Sequence, residues 1–431
     1  MKNISVFQLI FLSVFFLFML GGFAVVTIYS HKSSGRGQQE NITMWGPFNS
    51  SQMRPILNSV EATLQKTEPG LKIHYVQKNQ DTFDYDLVES IANGVNPDLV
   101  VISQESFIPN SSRLYPIPFQ SYPARQFKDS FVEEGELFLA GTVIGALPFA
   151  IDPLVLYWNR DLFSAKGISQ PPQNWDEMYS LAQKLTTRDS GGTITQSGIA
   201  LGEYSNVVHA KDIISALYLQ TGDPMTTWKP KYNGVYVIWG NSGGDSASPV
   251  NFYTQFSNPT KPVYSWNRSL PDSKSMFIAG RLGMYIGFAS ELAELKAKAP
   301  NLNFDVTYFP QAAGGTPTTF ANIYGISLLR TSRNLTAAFN IANALTSQNS
   351  IALWSSTSKT PPVRRDVGVS SGDQNQAIFS KSALFSRGWL DPNHIASGAV
   401  FKEMIESVTS GADTPTGAVS RAEVNLKTYA Q

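Results

Sequence analysis

The fold is decided by residues 41–103, which read NITMWGPFNSSQMRPILNSVEATLQKTEPGLKIHYVQKNQDTFDYDLVESIANGVNPDLVVIS. Three short apolar runs in this stretch predict β-strands, at 42–45, 71–76 and 99–102. Between the strands, apolar residues at helical spacing predict two helices, whose apolar faces run from Met53 to Leu64 and from Tyr85 through Val88 to Ala92. The resulting β-α-β-α-β order predicts an α/β layer with a mostly parallel sheet.

The ends of these strands are the first candidate ligand positions. Trp45 ends the first predicted strand, and Gln104 and Glu105 follow the third. Ligands of open parallel sheets bind at the carboxyl ends of the strands. We therefore expect these three side chains to form one wall of a binding site.

The rest of the chain continues the alternation of strands and helices. Asn174 is placed to cap a helix, because Glu177 follows three residues later and apolar residues then recur on one face up to Leu185. A further helix is predicted over 211–219, and helical spacing returns in the last 50 residues. Residues 224–262 are rich in Gly, Ser, Asn and Pro, which indicates irregular or hairpin structure.

Composition excludes several classes of protein. The length of 431 residues is enough for two domains, and 33 basic against 33 acidic residues give no basic excess for binding nucleic acid. Cysteine is absent, which excludes disulfides, thiolate metal sites, thiol catalysis and a lipidated cysteine. Only four histidines are present, so we expect neither a metal nor a cofactor.

The N-terminus forms a separate segment. Residues 4–29 include no charged side chain, and as a helix these 26 residues would span roughly 39 Å, more than the ~30 Å core of a bilayer. We predict a single-pass transmembrane anchor over 1–29 and a flexible stalk over 30–40. A cleaved signal peptide is the alternative, since Gly21, Gly22 and Ala24 supply small residues.

No motif predicts an enzyme. The string GNSGG at 240–244 fits G-x-S-x-G, but its flanks are typical of a loop and no histidine lies in a partner context. Glu133, Glu134, Glu203 and Glu291 are candidate paired carboxylates for a glycosidase, but nothing in the sequence brings two of them together.

Several aromatic residues lie beside turn signals. Flat rings suit the faces of sugar rings, and nearby amides and carboxylates can bind the hydroxyl groups. Taken singly, such a ring is more often part of a core than a ligand platform, and periodicity does not separate the two alternatives. The candidates are Trp45, Phe149, Tyr204, Trp266, Phe288, Tyr324, Trp354 and Trp389.

A family resemblance appears at residues 145–177. Residues 145–163 read GALPFAIDPLVLYWNRDLF, and 165–177 continue as AKGISQPPQNWDE. In this order, the two segments resemble the signature of the maltose-binding-like family of extracellular solute-binding proteins. Further matching blocks are ITMWG at 42–46, EPG at 68–70, NGVNPDLV at 93–100, FIAGRLGMYIG at 277–287 and TPPVRRD at 360–366. The chain departs from typical members in lacking a lipidated cysteine.

The resemblance implies an α/β, two-lobe, type II-like periplasmic-binding-protein fold with a hinge and an interlobe cleft. By the same likeness, lobe one is 41–148 plus 325–372, and lobe two is 152–321 plus 373–431. The first hinge crossing would lie at 147–153, where Pro148 and Pro153 restrict the backbone.

The resemblance also implies the ligand site. Family positions that touch sugar match Glu203, Tyr204, Phe288 and Trp389, and Trp45, Gln104 and Glu105 would supply the opposite wall. Phe288 stands where a tryptophan is common in sugar binders.

The implied function is that of a membrane-anchored, extracytoplasmic solute-binding protein that captures a small carbohydrate and delivers it to the permease of an ABC transporter. A surface ligand sensor or adhesin with the same fold is the main alternative, and a glycan hydrolase is a third hypothesis.

Overall fold

The structure, a computed structural model, describes residues 41–229, 234–239, 246–368 and 372–429. The predicted anchor at 1–29, the stalk at 30–40 and the GNSGG string at 240–244 lie outside the described residues. Within the described ranges, no helix has both the length and the apolar character needed to cross a bilayer.

The chain alternates between strands and helices, as the sequence predicts. The strands are β1 (Asn41–Gly46), β2 (Lys72–Gln77), β3 (Leu99–Ser103), β4 (Leu114–Tyr115), β5 (Ile117–Pro118), β6 (Leu139–Ala140), β7 (Val143–Ile144), β8 (Leu147–Asn159), β9 (Thr187–Arg188), β10 (Ile194–Ile199), β11 (Thr226–Lys229), β12 (Gly234–Val237), β13 (Leu282–Phe288), β14 (Phe304–Tyr308), β15 (Thr319–Leu329) and β16 (Ser386–Arg387). The α-helices are α1 (Ser50–Leu64), α2 (Phe83–Ala92), α3 (Gln104–Asn110), α4 (Ala124–Ser130), α5 (Arg160–Ser164), α6 (Trp175–Leu185), α7 (Ala210–Gln220), α8 (Ser248–Thr254), α9 (Ser273–Ile278), α10 (Leu292–Lys298), α11 (Leu335–Leu345), α12 (Gln348–Ser358), α13 (Gln374–Leu384), α14 (His394–Thr409) and α15 (Pro415–Tyr429).

One long sheet runs through the molecule in the order β2-β1-β3-β15-β8-β13-β10-β9. Its first three strands are parallel, as their apolar runs predict, and every residue of β3 is buried. The two longest strands, β8 and β15, lie antiparallel to each other in the middle of the sheet. They therefore connect the two halves of the sheet.

The apolar side chains form two separate cores. Along β8 the first core ends at Ile151 and the second begins at Leu154, and along β15 the change falls between Phe320 and Ala321. The two halves of the fold thus meet at the centre of these two strands, where the sequence predicts a hinge. Four residues of the predicted second lobe pack with the first core, namely Val235, Ala321, Ala383 and Leu390.

Helix α6 begins as the sequence predicts, with Asn174 as its N-terminal cap. The Asn174 side chain accepts a hydrogen bond from the Glu177 backbone N–H at 2.9 Å, and its amide donates to the Glu177 carboxylate at 3.0 Å. The first bond satisfies a backbone N–H that the first helical turn leaves unpaired, and the second holds the two side chains together.

The predicted apolar face of α2 is wrong. Tyr85 is 71% exposed, and Val88 is also exposed, whereas Phe83 and Leu87 are buried against the sheet. Both pairs have helical spacing, so only the packing of the helix on the sheet selects the buried face. In the segment 224–262, the expected hairpin is formed by β11 and β12, followed by α8.

Candidate functional site

Two adjoining cavities open where the two cores meet. The larger measures about 660 Å³ and the smaller about 290 Å³. They share four lining residues, Gln80, Asp152, Ser290 and Tyr324. Because Asp152 and Tyr324 belong to the two connecting strands β8 and β15, the combined cleft lies directly on the connection between the halves.

Aromatic rings form one wall of the smaller cavity. The Phe48 ring lies 5.0 Å from Tyr324 and 4.5 Å from Trp354, centroid to centroid. The buried ring of Phe149 packs against this group, 5.0 Å from Trp354, centroid to centroid. The cluster offers a rigid apolar surface beside the polar groups of the larger cavity, an arrangement that suits a ligand with one apolar face and many hydroxyl groups.

The larger cavity is strongly polar. Five carboxylates, two lysines and two histidines line it, namely Asp81, Glu105, Asp152, Asp212 and Glu291 with Lys211, Lys274, His209 and His394. Tyr204, Phe288 and Asn322 are among its other lining residues.

His209 is the centre of one charged cluster. Its Nε2 lies 2.5 Å from Oε1 of Glu291, its Nδ1 lies 3.6 Å from Asp212, and its ring contacts Phe288 edge to face at 4.6 Å. The backbone at His209 is left-handed, with φ 64°, which brings the ring into this position ahead of α7. Burial lowers the pKa of His209, but the hydrogen bonds and charges of Asp212 and Glu291 outweigh it and raise the pKa to about 9. His209 is therefore an imidazolium at neutral pH.

Glu291 is the carboxylate that holds this cluster together. It accepts hydrogen bonds from the Tyr285 hydroxyl at 2.7 Å and from the Phe288 backbone N–H at 3.0 Å, and Lys274 lies 3.2 Å away. Burial opposes its charge, yet the bonds from His209 and Tyr285 lower the pKa of Glu291 to about 2. Glu291 is therefore ionised, and its hydrogen-bonding capacity is already used within the protein.

Lys211 forms the second charged cluster and bridges the cleft. Its Nζ lies 2.8 Å from Glu105 of α3, which packs with the first core, and 2.7 Å from Asp391. Burial lowers the pKa of Lys211, but the charges of Asp391 and Glu105 outweigh it and raise the pKa above the ordinary range of a lysine. The ion pair with Glu105 thus joins the two sides of the cleft.

Asp152 differs from these groups. Its Oδ1 accepts a hydrogen bond from the Ser290 backbone N–H at 3.0 Å, and the position pairs with Asn322 across the two connecting strands. Burial is the largest influence and raises the pKa of Asp152 to about 6, although the bonds from Ser290 act in the opposite direction. Asp152 is thus a carboxylate with free hydrogen-bonding capacity at the junction of the two cavities.

Three of the residues expected at the site line the cleft. Glu105, Tyr204 and Phe288 all face the larger cavity. The Tyr204 side chain is half-buried, and burial raises the pKa of its hydroxyl to about 12. The structure therefore brings together one predicted residue from the first half of the fold and two from the second.

The other four expected residues line neither of the two cavities. Trp45 is buried, and the ammonium of Lys78 lies over its ring, 3.9 Å from the centroid. Glu203 is also buried and forms an ion pair with Arg268 at 3.0 Å. These side chains are used in packing and ion pairing rather than presented to the cleft.

Gln104 and Trp389 lie just behind the cleft wall. Gln104 is fully buried, and its amide binds the backbone of β15 by accepting from the Ile323 N–H at 2.8 Å. Trp389 is only 4% exposed, stacks on Phe401 in the second core and donates to Ser215 at 3.2 Å. Both residues stabilise elements that carry the site.

Sequence reasoning did not place several lining residues at the site. Tyr324 and Trp354 were candidate aromatic residues, but Gln80, Asp81, Asp152, His209 and Lys211 carried no signal of their own. One signal did exist for Asp152, which lies inside the predicted hinge crossing. Among the described residues, no group of three His, Asp or Glu side chains has a geometry that could hold a metal ion.

Comparison with known proteins identifies the family. The family model of the bacterial extracellular solute-binding proteins matches residues 49–349. The chain belongs to this family. The expected resemblance to solute-binding proteins is thereby confirmed, and the family groups binding proteins rather than enzymes.

Individual members of the family are distant relatives. A putative binding protein of Brucella abortus (strain 2308) is 23% identical over 355 residues, which cover 81% of each chain. The mannitol-binding protein of Pseudomonas aeruginosa is 22% identical over 370 residues, covering 82% of this chain and 80% of that protein.

Solved structures of solute-binding proteins share the fold. A cyclo/maltodextrin-binding protein complexed with maltotetraose aligns with a TM-score of 0.73 at 16% identity, covering 92% of this chain and 99% of the other. A solute-binding protein of an ABC transporter from Thermotoga lettingae, bound to α-D-tagatose, aligns with a TM-score of 0.64 at 19% identity, covering 91% and 100%. These alignments confirm the α/β two-lobe fold of periplasmic binding proteins.

Proposed function

We propose that this solute-binding protein captures a carbohydrate in the cleft between its two lobes. The observation that carries the proposal is the pairing of the aromatic wall of Phe48, Tyr324 and Trp354 with the free carboxylate of Asp152 on the adjoining strand. An aromatic face packs on the apolar side of a sugar ring, and a carboxylate accepts bonds from its hydroxyl groups. The sugars bound in the aligned structures, maltotetraose and α-D-tagatose, support this ligand class.

Binding would be coupled to a hinge motion. Strands β8 and β15 are the covalent connection at the cleft, with lobe bounds near 41–148 plus 325–372 and 152–321 plus 373–431. A ligand that contacts both walls binds the closed arrangement more tightly and shifts the population towards it. Small-angle scattering is expected to show a smaller radius of gyration at saturating sugar.

We further propose delivery of the sugar to the permease of an ABC transporter from the outer side of the membrane. Residues 1–29 would anchor the chain in the membrane, and 30–40 would act as the stalk. The uncharged run of 26 residues and the family membership support this arrangement.

A thermal-shift screen of the full-length protein against mono- and oligosaccharides tests the ligand class. A ligand at 100 times its Kd stabilises the native state by about 2.7 kcal/mol, which moves the melting temperature measurably. Hits are then measured by calorimetry with Trp354→Ala, which removes part of the aromatic wall, and with Tyr429→Ala as a control, because Tyr429 is exposed at the end of α15 and lines neither cavity. If no sugar in the panel raises the melting temperature, the proposal fails; product formation from a glycan would instead support the hydrolase hypothesis.

A further inference from the structure

The basic groups of the cleft are already occupied by carboxylates of the protein. Lys211 lies between Glu105 and Asp391 at 2.8 and 2.7 Å, so both acids neutralise one ammonium. Asp391 is 1% exposed and would be left buried without a cation if Lys211 moved to a ligand. Losing one partner of a buried ion pair is strongly destabilising. Lys211 is therefore not available to bind an anionic ligand.

The same holds for the charged cluster around His209. Both His209 and Lys274 contact Glu291, at 2.5 and 3.2 Å, and His209 has Asp212 as a further partner. Lys274 is also in contact with Glu294. An anionic sugar, such as a sugar phosphate or a uronic acid, would thus meet cations that are already paired.

Two carboxylates of the cleft, unlike its lysines and His209, have no partner of opposite charge among the described residues. Asp81 and Asp152 both line the larger cavity, and neither forms an ion pair within the part of the chain that the structure describes. Asp152 is held by Ser290, with Glu291 raising and His209 lowering its pKa through their charges. When the cleft closes, these two negative charges lose water, and a positive group on the ligand would compensate that loss more fully than neutral hydroxyl groups.

The position of Asp152 fixes where that positive group would lie. Asp152 and Tyr324 line both cavities, so a group bound by the carboxylate lies next to the aromatic wall. A sugar ring on the aromatic wall would therefore direct a ring substituent towards Asp152. An ammonium group in that position gains a charge-assisted hydrogen bond, which is about twice as strong as a neutral one.

We propose that the cleft selects an amino sugar with a free ammonium group, which Asp152 binds and Asp81 attracts. This inference rests on the proposed function and narrows the carbohydrate to a cationic one. Neutral sugars would bind more weakly at the same place, and anionic sugars would be rejected.

Calorimetry on the full-length protein in detergent at pH 6.5 tests the inference with three matched disaccharides. Chitobiose carries two free amines, N,N′-diacetylchitobiose carries two neutral amides, and cellobiose carries hydroxyl groups on the same ring framework. We expect chitobiose to bind at least tenfold more tightly than the other two, with an affinity that falls between 50 and 500 mM NaCl.

The variant Asp152→Asn is expected to remove this preference while keeping the shape of the side chain. Asp129→Asn, at an exposed position of α4, is the control and should keep the wild-type preference. Melting temperatures of both variants establish that they are folded, and the salt dependence of the wild type tests the inference without any variant.

The outcomes separate the two proposals. Equal or tighter binding of cellobiose or the diacetylated disaccharide overturns the amino-sugar inference but leaves carbohydrate binding standing. Preference for a uronic acid disaccharide overturns it as well. Absence of binding to every sugar in the panel removes the proposed function itself.

Discussion

Nζ of Lys211 lies 2.8 Å from Oε1 of Glu105, and the two residues come from opposite sides of the cleft. The same ammonium lies 2.7 Å from Asp391, which is fully buried on its own side. One lysine therefore takes part in two contacts of different kinds. The proposed hinge motion would change the contact with Glu105, whereas Lys211 and Asp391 both belong to the predicted second lobe.

Glu105→Gln and Lys211→Met are expected to differ widely in stability. Glu105 is partly exposed and its loss leaves Lys211 paired with Asp391, so the free energy of unfolding should fall by at most about 1 kcal/mol. Lys211→Met leaves the buried Asp391 carboxylate without a cation, and the loss should be about 3–5 kcal/mol. Urea denaturation at pH 7 measures both. Similar losses for the two variants would contradict this division of roles.

The stability contributed by His209 should depend on pH. The pKa of His209 is raised in the native state from the ordinary histidine value of 6.5 to about 9, so the contribution is complete below pH 6.5 and is lost as the pH rises through 9. Relative to His209→Asn, which tolerates the left-handed backbone, the wild type should lose up to roughly 3 kcal/mol of stability over this window. Urea denaturation at pH 6, 7.5 and 9.5 provides the test. A difference between the two proteins that stays constant with pH would show that the imidazolium contributes nothing.

Tyr204→Ala and Trp389→Ala should separate ligand binding from stability. Tyr204 lines the cleft, so its truncation should weaken sugar binding by about 1–3 kcal/mol while the melting temperature stays near that of the wild type. Trp389 packs in the second core, so its truncation should lower the free energy of unfolding by about 3–5 kcal/mol. Calorimetry and thermal melts of both variants are compared. A Trp389→Ala protein with a normal melt and weak binding would restore Trp389 as a ligand contact.

Gln104 is expected to stabilise the native state through its hydrogen bonds to the connecting strand β15. Its side chain accepts from the Ile323 N–H and donates to Asn322 at 2.9 Å, in a fully buried position. Gln104→Leu leaves the buried N–H of Ile323 unpaired and should lower the free energy of unfolding by about 1–3 kcal/mol. Gln65→Leu, at an exposed position after α1, serves as the control. Equal urea midpoints for the two variants would show that the bonds to β15 contribute little.

The N-terminal segment is expected to stay on the mature protein. Its 26 uncharged residues are longer than the apolar region of a signal peptide, so the protein should fractionate with membranes without lipid modification. The double variant Phe15→Asp/Phe16→Asp should reduce insertion, because a central aspartate costs roughly 2.5–3.5 kcal/mol. Mass spectrometry that finds a new N-terminus between Ala24 and Ser30 would identify a cleaved signal instead.

The sequence determined the elements of the fold because their signals are local. The buried run at Leu99–Ser103 and the cap of α6 by Asn174 each depend on residues a few positions apart. The strand-end rule placed Glu105 at the cleft wall, and family resemblance added the two-lobe arrangement with Tyr204 and Phe288.

Only the tertiary structure decided which polar groups meet in the cleft. His209 and Glu291 are 82 positions apart, and Lys211 and Glu105 are 106 apart, so no spacing rule connects them. Sequence alone also does not decide the role of Trp389, because a tryptophan beside turn residues can face a cleft or pack in a core. Burial and ion pairing depend on which surfaces pack together, and that packing is set by contacts between distant parts of the chain.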